Sequence, residues 1–280
     1  MIKQILLFLL ISCACCPLTG QSLRLMTYNV RYDSDSDEQN AWTYRKDMLV
    51  LQLLSQAPDI LGTQEGLPHQ VRFIDEQLVD YAFVGIGRDG IEKGGEYSAL
   101  FYNRSTLELI KSGTFWLSKT PEKPSTGWDA ALPRICTYGL FKVRSTGTMI
   151  YVFNTHFDHI GIKARKKSLG VIEKMIKNLN PEKYPFVVMG DLNADPADKI
   201  IRSFSKKYID AGASDHENSQ QADGTFNAFD LNVPATHRID YIFLDKESFE
   251  LDLYKILTEP AGHSYPSDHF PVIVDVSVKD

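Results

Sequence analysis

The 280-residue chain predicts one α+β domain in which two mainly antiparallel sheets pack on each other with helices outside. Three observations carry this. Short apolar runs rich in Val, Ile, Tyr and Phe recur along the chain. Apolar residues at three- and four-residue spacing separate only some of them. The order is strand, helix, strand, helix, several strands in succession, then the same plan again, and no Pro-, Gly- or Ser-rich linker interrupts it.

In order, the strand-like runs are "LRLMTYNV" (23–30), "DILGTQE" (59–65), "YAFVGIG" (81–87) and "YSALFYN" (97–103). A second series follows: "CTYGLFKV" (136–143), "MIYVFNTHF" (149–157), "PFVVMGDL" (185–192), "RIDYIFL" (238–244) and "FPVIVDVSV" (270–278). Met48, Leu49, Gln52, Leu53 and Gln56 fit a helix that starts near Trp42 and must stop before Pro58. Leu169, Ile172, Met175, Ile176 and Leu179 place an amphipathic helix over 163–179, and "HQVRFIDEQLV" (69–79) is a third. The longest irregular stretches, 119–134 and 211–237, are long enough to serve as functional rims.

The first twenty residues differ from the rest. "MIKQILLFLLISCACCPLTG" has Lys3, a short apolar run and then small residues, the form of a secretory signal. Two kinds of processing fit: cleavage after "LTG", leaving Gln21 first, or acylation of Cys13 in the lipobox-like "LISC", which tethers the chain to a membrane. Residues 21–280 are then the functional domain, exported to the periplasm, the exterior or a lipid-anchored position on a bacterial envelope. Without the leader, 29 basic and 36 acidic residues leave a net charge of −7, which disfavours general coating of a polyanion. Only Cys136 remains of the four cysteines, so no internal disulfide or CxxC metal pair is available, and its apolar context reads as a buried strand position. No later stretch of 18 apolar residues occurs.

Several strands stop on a polar side chain: Asn29, Glu65, then Asn154 and His156, then Asp191 with Asn193. Asp240 lies within an apolar run, where a lone carboxylate is costly and a partner is required. Asp268 and His269 precede the last strand. Each taken singly has a turn or helix-cap explanation. As a set they form a coherent inventory. Glu65, Asp268 and Asn29 offer the oxygen ligands that Mg2+ or Mn2+ takes. His156 and His269 can donate to phosphate oxygens, and Asp240 behind His269 would orient it. This is the equipment of metal-assisted phosphoester hydrolysis.

Read in order, "MTYNVR", "GTQE", "NTHFDH", "GDLNADP", "RIDYIF" and "SDHFPV" resemble the signature series of the endonuclease/exonuclease/phosphatase superfamily, over residues 23–278. The resemblance implies a four-layer αββα sandwich like that of deoxyribonuclease I, with its site where the two sheets open at one end. It implies that Glu65 binds metal with Asn29 and the metal-side acid Asp268 close by. It implies that Asp191 positions or deprotonates the attacking water with support from Asn193. It further implies that His156 contacts phosphate and that His269, paired with Asp240, stands beside the scissile group. Where exonuclease III type members carry a further acid two residues after the first Asn, this chain has Arg31, a departure that argues against that branch. "FWLSKTPEKPSTGWDAALPRICT" resembles a segment of uncharacterised bacterial members near the nocturnin type. On that basis Arg134 is expected to contact phosphate and Trp128 to stack on a substrate ring, with Asn154 assigned to the same substrate side.

The expected activity is hydrolysis of a small or compact phosphomonoester or phosphodiester by a monomeric, exported enzyme. A secreted nuclease is the alternative, with "KARKK" (163–167) as its candidate nucleic-acid contact. A non-catalytic envelope binding module is the alternative of another class.

Overall fold

The computed structural model describes residues 22–91, 94–213, 224–260 and 262–279. The leader assigned to residues 1–20 lies outside these. The first half contains β1 (Leu23–Asn29), α1 (Trp42–Gln56), β2 (Ile60–Gln64), α2 (Pro68–Gln77), β3 (Tyr81–Val84), β4 (Leu100–Asn103) and β5 (Leu107–Trp116). There follow β6 (Ile135–Val143), β7 (Met149–His156), α3 (Ile162–Leu179), β8 (Phe186–Asp191), α4 (Lys199–Ser205) and β9 (Ile209–Asp210). The chain closes with β10 (Asp240–Leu244), β11 (Phe249–Ile256) and β12 (Val272–Val278).

Two six-stranded sheets form, in the orders β11-β12-β1-β2-β4-β3 and β5-β6-β7-β8-β10-β9. Each has one parallel pair near its centre, β1 with β2 and β7 with β8, and the other pairings are antiparallel. Each parallel pair is bridged by a helix, α1 or α3, as a parallel connection requires. The repeated plan in the sequence is thus the two sheets, each built around one crossover.

Alternation along the strands sets the layers. Leu23, Leu25, Val187, Met189, Ile242, Leu244, Val272 and Val274 point between the sheets into one core. Their neighbours Met26, Tyr28 and Ile273 face α1 and α2, while Val188, Tyr241 and Phe243 face α3 and α4. Strands apolar on both faces explain the near-continuous apolar runs. The result is the four-layer αββα sandwich.

The helices start and stop where the sequence signals them. Ala57, in left-handed conformation (φ 43°), ends α1 before Pro58, and Pro68 opens α2. β5, β9, β11 and α4 are additions to the expected elements. β5 and β11 are edge strands carrying Glu108, Lys111, Glu250 and Asp252, so their polar positions mask the strand pattern. Cys136 is fully buried on β6, as its context indicates. Among the described residues no helix is long and apolar enough to cross a membrane.

Candidate active site

The columns of side chains that fill the inter-sheet core run out, at one end, onto the polar residues picked out above. On β8 the sequence Val187, Met189, Asp191 is one such column, and on β10 Leu244, Ile242, Asp240 is another. Register then aligns His156, Asp191 and Asp240 as one row across β7, β8 and β10. From the first sheet, Asn29 at the end of β1 faces this row. Its Nδ2 donates to Glu65 Oε1 and to Asp191 Oδ2, both at 3.0 Å. The strand ends therefore meet.

His269 completes the row from the segment before β12. Its Nδ1 lies 2.8 Å from Asp240 Oδ2 and its Nε2 3.8 Å from Asp191 Oδ2. Phe226 packs edge-on against its ring at 5.1 Å. On the other side of Asp191, His156 Nε2 is 3.5 Å from the same oxygen. Asn193 donates its backbone N–H to Asp191 Oδ1 (2.9 Å), and its amide nitrogen lies 3.0 Å from His156 Nε2.

Three residues here have left-handed backbone without being glycine: Arg31 (φ 54°), Glu65 (φ 66°) and Asn193 (φ 47°). Such a conformation costs on the order of 1–3 kcal/mol and persists only where its surroundings impose it. Site side chains do so. Asn29 Oδ1 accepts from Arg31 N–H, Asp191 accepts from Asn193, and Tyr32 N–H donates to Glu65 Oε2.

Burial and crowding shape the charges. Burial works against a charged His269, but Asp240, with Asp191 and Asp268 beyond it, outweighs this and holds the imidazole well above its ordinary value. For His156, burial, the Arg134 guanidinium and His269 act in one direction and hold it well below. Burial pushes Asp191 up to about 7, with Asp240 adding to the effect and His269 opposing it. Asp268 is pushed up mainly by burial, against His269 and with Glu65.

A divalent cation fits this donor set. Ligand atoms of Glu65, His156 and Asp191 lie within 4.8 Å of one another, as do those of Asp191, Asp240 and His269. Asp240 Oδ1 is buried with no hydrogen-bond partner. Arg31 reaches Asp268 only at 3.8 Å, because its guanidinium is taken by Asp37 at 2.8–2.9 Å. Carboxylates thus outnumber the cations close to them, and hard oxygen donors dominate, which is what Mg2+ or Mn2+ requires.

The cleft has a volume of about 620 Å³ and includes Glu65, Arg134, His156, Asp191, Asp268 and His269 among its walls. Two expected substrate residues are elsewhere. Asn154 is fully buried between the sheets, donating to the carbonyls of Thr63 and Ala99 and accepting from Gln64, so its amide has no capacity left for a substrate. Trp128 lines a separate groove against α3, because Asp129 ties its loop to the start of that helix. Arg134 does reach the cleft, 3.1 Å from His156 Nδ1 and 3.0 Å from His159 Nδ1.

Arg88 and Glu96 also line the cleft and had no strand-end signal. They face each other across a tight hairpin at 2.7 Å, where Gly87 passes so close to Gly94 that a Cβ would collide with its carbonyl. The glycine density of "GIGRDGIEKGG" is the one trace they leave in the sequence.

The comparisons with known proteins agree. The model of the Endonuclease/Exonuclease/phosphatase family matches residues 26–269. Among solved structures, an endonuclease/exonuclease/phosphatase family protein from Bacteroides thetaiotaomicron is 36% identical, with a TM-score of 0.85 over 93% of this chain and 99% of its own. A mannosyl-6-phosphatase from Bacteroides thetaiotaomicron is 37% identical, with a TM-score of 0.83 over 91% of this chain and 99% of its own. Drosophila melanogaster nocturnin is 23% identical over 92% of this chain, which spans about half (47%) of that protein's length. With the family match covering every strand end that forms the cleft, this chain belongs to the endonuclease/exonuclease/phosphatase family of phosphoester hydrolases.

Proposed function

We propose that the cleft hydrolyses a small or compact phosphoester by direct attack of water, with Mg2+ or Mn2+ as cofactor, in an exported enzyme. The observation that carries this is the position of Asp191, buried between two imidazoles 3.5 and 3.8 Å away and oriented by Asn29 and Asn193. Asp191 holds the water and takes its proton as the new O–P bond forms and the ester P–O bond breaks on the opposite side. His269, kept charged by Asp240, donates from Nε2 to a phosphate oxygen as negative charge develops there. His156 is held neutral between the Arg134 guanidinium at its Nδ1 and the Asn193 amide nitrogen at its Nε2, which fixes its ring beside the same group. Arg134 adds its positive charge on that side. Glu65 and Asp191, with Asp268 and Asn29 beside them, would hold the divalent cation, whose Lewis acidity neutralises the oxyanion.

The size of the cleft and the net charge of −7 favour a compact ester over a duplex. The 37% identical mannosyl-6-phosphatase supports a hydroxyl-rich monoester as one such substrate. Export rests on the leader alone. The test is a panel of sugar phosphates, nucleotides, bis-p-nitrophenyl phosphate, RNA, plasmid DNA and phospholipids with Mg2+ or Mn2+ and a chelator control. Metal-dependent release from small esters is expected. Faster cleavage of nucleic acid would favour a nuclease, and no metal-dependent release from any of them would leave a binding module.

A further inference from the structure

α3 covers the middle of the second sheet but leaves a strip along β5 and β6 open. A groove of about 610 Å³ follows that strip, walled by Phe115, Trp128 and Tyr138 on the sheet side and by Lys167, Lys174 and Asn178 on α3. It shares no lining residue with the catalytic cleft. Trp128 is held there from both sides. Its own backbone is left-handed (φ 47°), Gly127 before it lies so close to the Leu117 carbonyl that no side chain fits, and Asp129 after it accepts from Lys163 and Ala164 N–H. Yet its half-buried indole has no hydrogen-bond or ring partner among the described residues. A strained backbone thus holds a flat apolar ring face open to the groove.

Gly170 points the same way. It lies in the interior of α3, where glycine is unfavourable, and a Cβ there would meet nothing within 4 Å. Packing does not require it. A long side chain there reaches into this groove or into the one between α3 and α4, both of which Gly170 lines.

The charge of the walls selects the occupant. Lys119, Lys167 and Lys174 line the groove against one acid, Glu122, in a chain whose net charge is −6, and Lys167 and Lys174, seven residues apart, share one face of α3. We infer that this groove binds an acidic saccharide. A sugar ring presents an apolar C–H face to the indole and hydroxyls to Asn178 and Glu122, while its acid group lies between the two lysines. A nucleic-acid strand would share the stacking and the lysines, and it is the competing occupant that the titration separates.

The test is titration of the full chain with trigalacturonate, a sulfated heparin tetrasaccharide, neutral maltotriose and a short oligothymidylate, followed by tryptophan fluorescence and calorimetry. Trp42 and Trp116 are each only 5% exposed, so a ligand-induced change in the signal reports Trp128. Saturable binding of an acidic saccharide is expected, at least tenfold tighter than maltotriose. It should weaken at least tenfold in the double variant Lys167→Gln/Lys174→Gln and be lost calorimetrically in Trp128→Ala. Gly170→Gln places a long side chain at the groove while improving the helix, so it should lose binding with an unchanged or raised Tm, which separates blockage from misfolding. No saturable response to either acidic saccharide, or binding that survives both Trp128→Ala and Gly170→Gln, overturns the proposal. Tighter, Trp128-dependent binding of the oligonucleotide also overturns it.

Discussion

Asp191 holds its place because every neighbour has a reason to keep it there: two amide donors and a row partner on each adjacent strand. Asp191→Ala or His269→Ala should therefore lower kcat roughly 10²-fold or more while far-UV circular dichroism stays native. Near-native turnover in both variants would remove the assignment. Glu96 offers an independent check of the cleft's electrostatics. Burial pushes its carboxyl up to about 7 from 4.5, with Arg88 and Arg134 opposing and Glu65 adding to the shift. The folded chain then binds this proton more tightly than the unfolded one, so stability is lost as pH rises from 4.5 through 7. Relative to Glu96→Gln, the wild type should lose up to roughly 3 kcal/mol across that window in urea melts. A flat difference between the two proteins would contradict it. Glu65 and Asp191 could be read from the sequence because each ends an apolar run, and His269 because it directly precedes one. Arg88 and Glu96 could not, since a glycine-rich hairpin does not announce where its base will pack.

At the scale of elements, α1 does more than cover the first sheet. Its Arg45 is 1% exposed and donates to the carbonyls of Val30, Arg31, Asn40 and Pro266 at 2.6–3.1 Å. One helix residue thereby ties the exit of β1, which carries Asn29, to the segment before β12, which carries Asp268 and His269. Arg45→Met would leave those carbonyls buried and unpaired, at about 1–3 kcal/mol each. A loss of at least about 3 kcal/mol in denaturant unfolding is expected, together with reduced turnover from a loosened site. The periodicity of α1 is plain in the sequence, but a charged residue on a helix reads as solvent-facing, and Arg45 is the opposite. β5 and β11 were hidden for a related reason: as edge strands they keep a wet face, and their charges break up the apolar run.

For the molecule as a whole, the site exists only because two sheets contribute to it, Asn29 and Glu65 from the first and His156, Asp191 and Asp240 from the second. A cation held across them binds the folded chain alone and must raise its stability. Mg2+ or Mn2+ at about 100 times its Kd should add about 2.7 kcal/mol, a Tm increase on the order of 5–10 °C. Glu65→Gln should abolish most of that increase while leaving the metal-free Tm within a few degrees. An equal increase in wild type and variant would place the cation elsewhere.

Alternation and helical spacing, both local properties of the chain, were enough to establish two sheets with outer helices, the crossover helices and the polar residues ending the strands. Local pattern cannot report distance between strands remote in sequence. The row His156–Asp191–Asp240 depends on register, and the proximity of Asn29 to Asp191 depends on how the sheets face each other. For the same reason Asn154 and Trp128 looked like site residues and were not. One side chain points into the core one same-face position below His156 on β7, and the other is carried off by the anchoring of its loop to α3. Packing decided both, because it alone determines which side chains spend their hydrogen bonds on the protein and which keep them for a substrate.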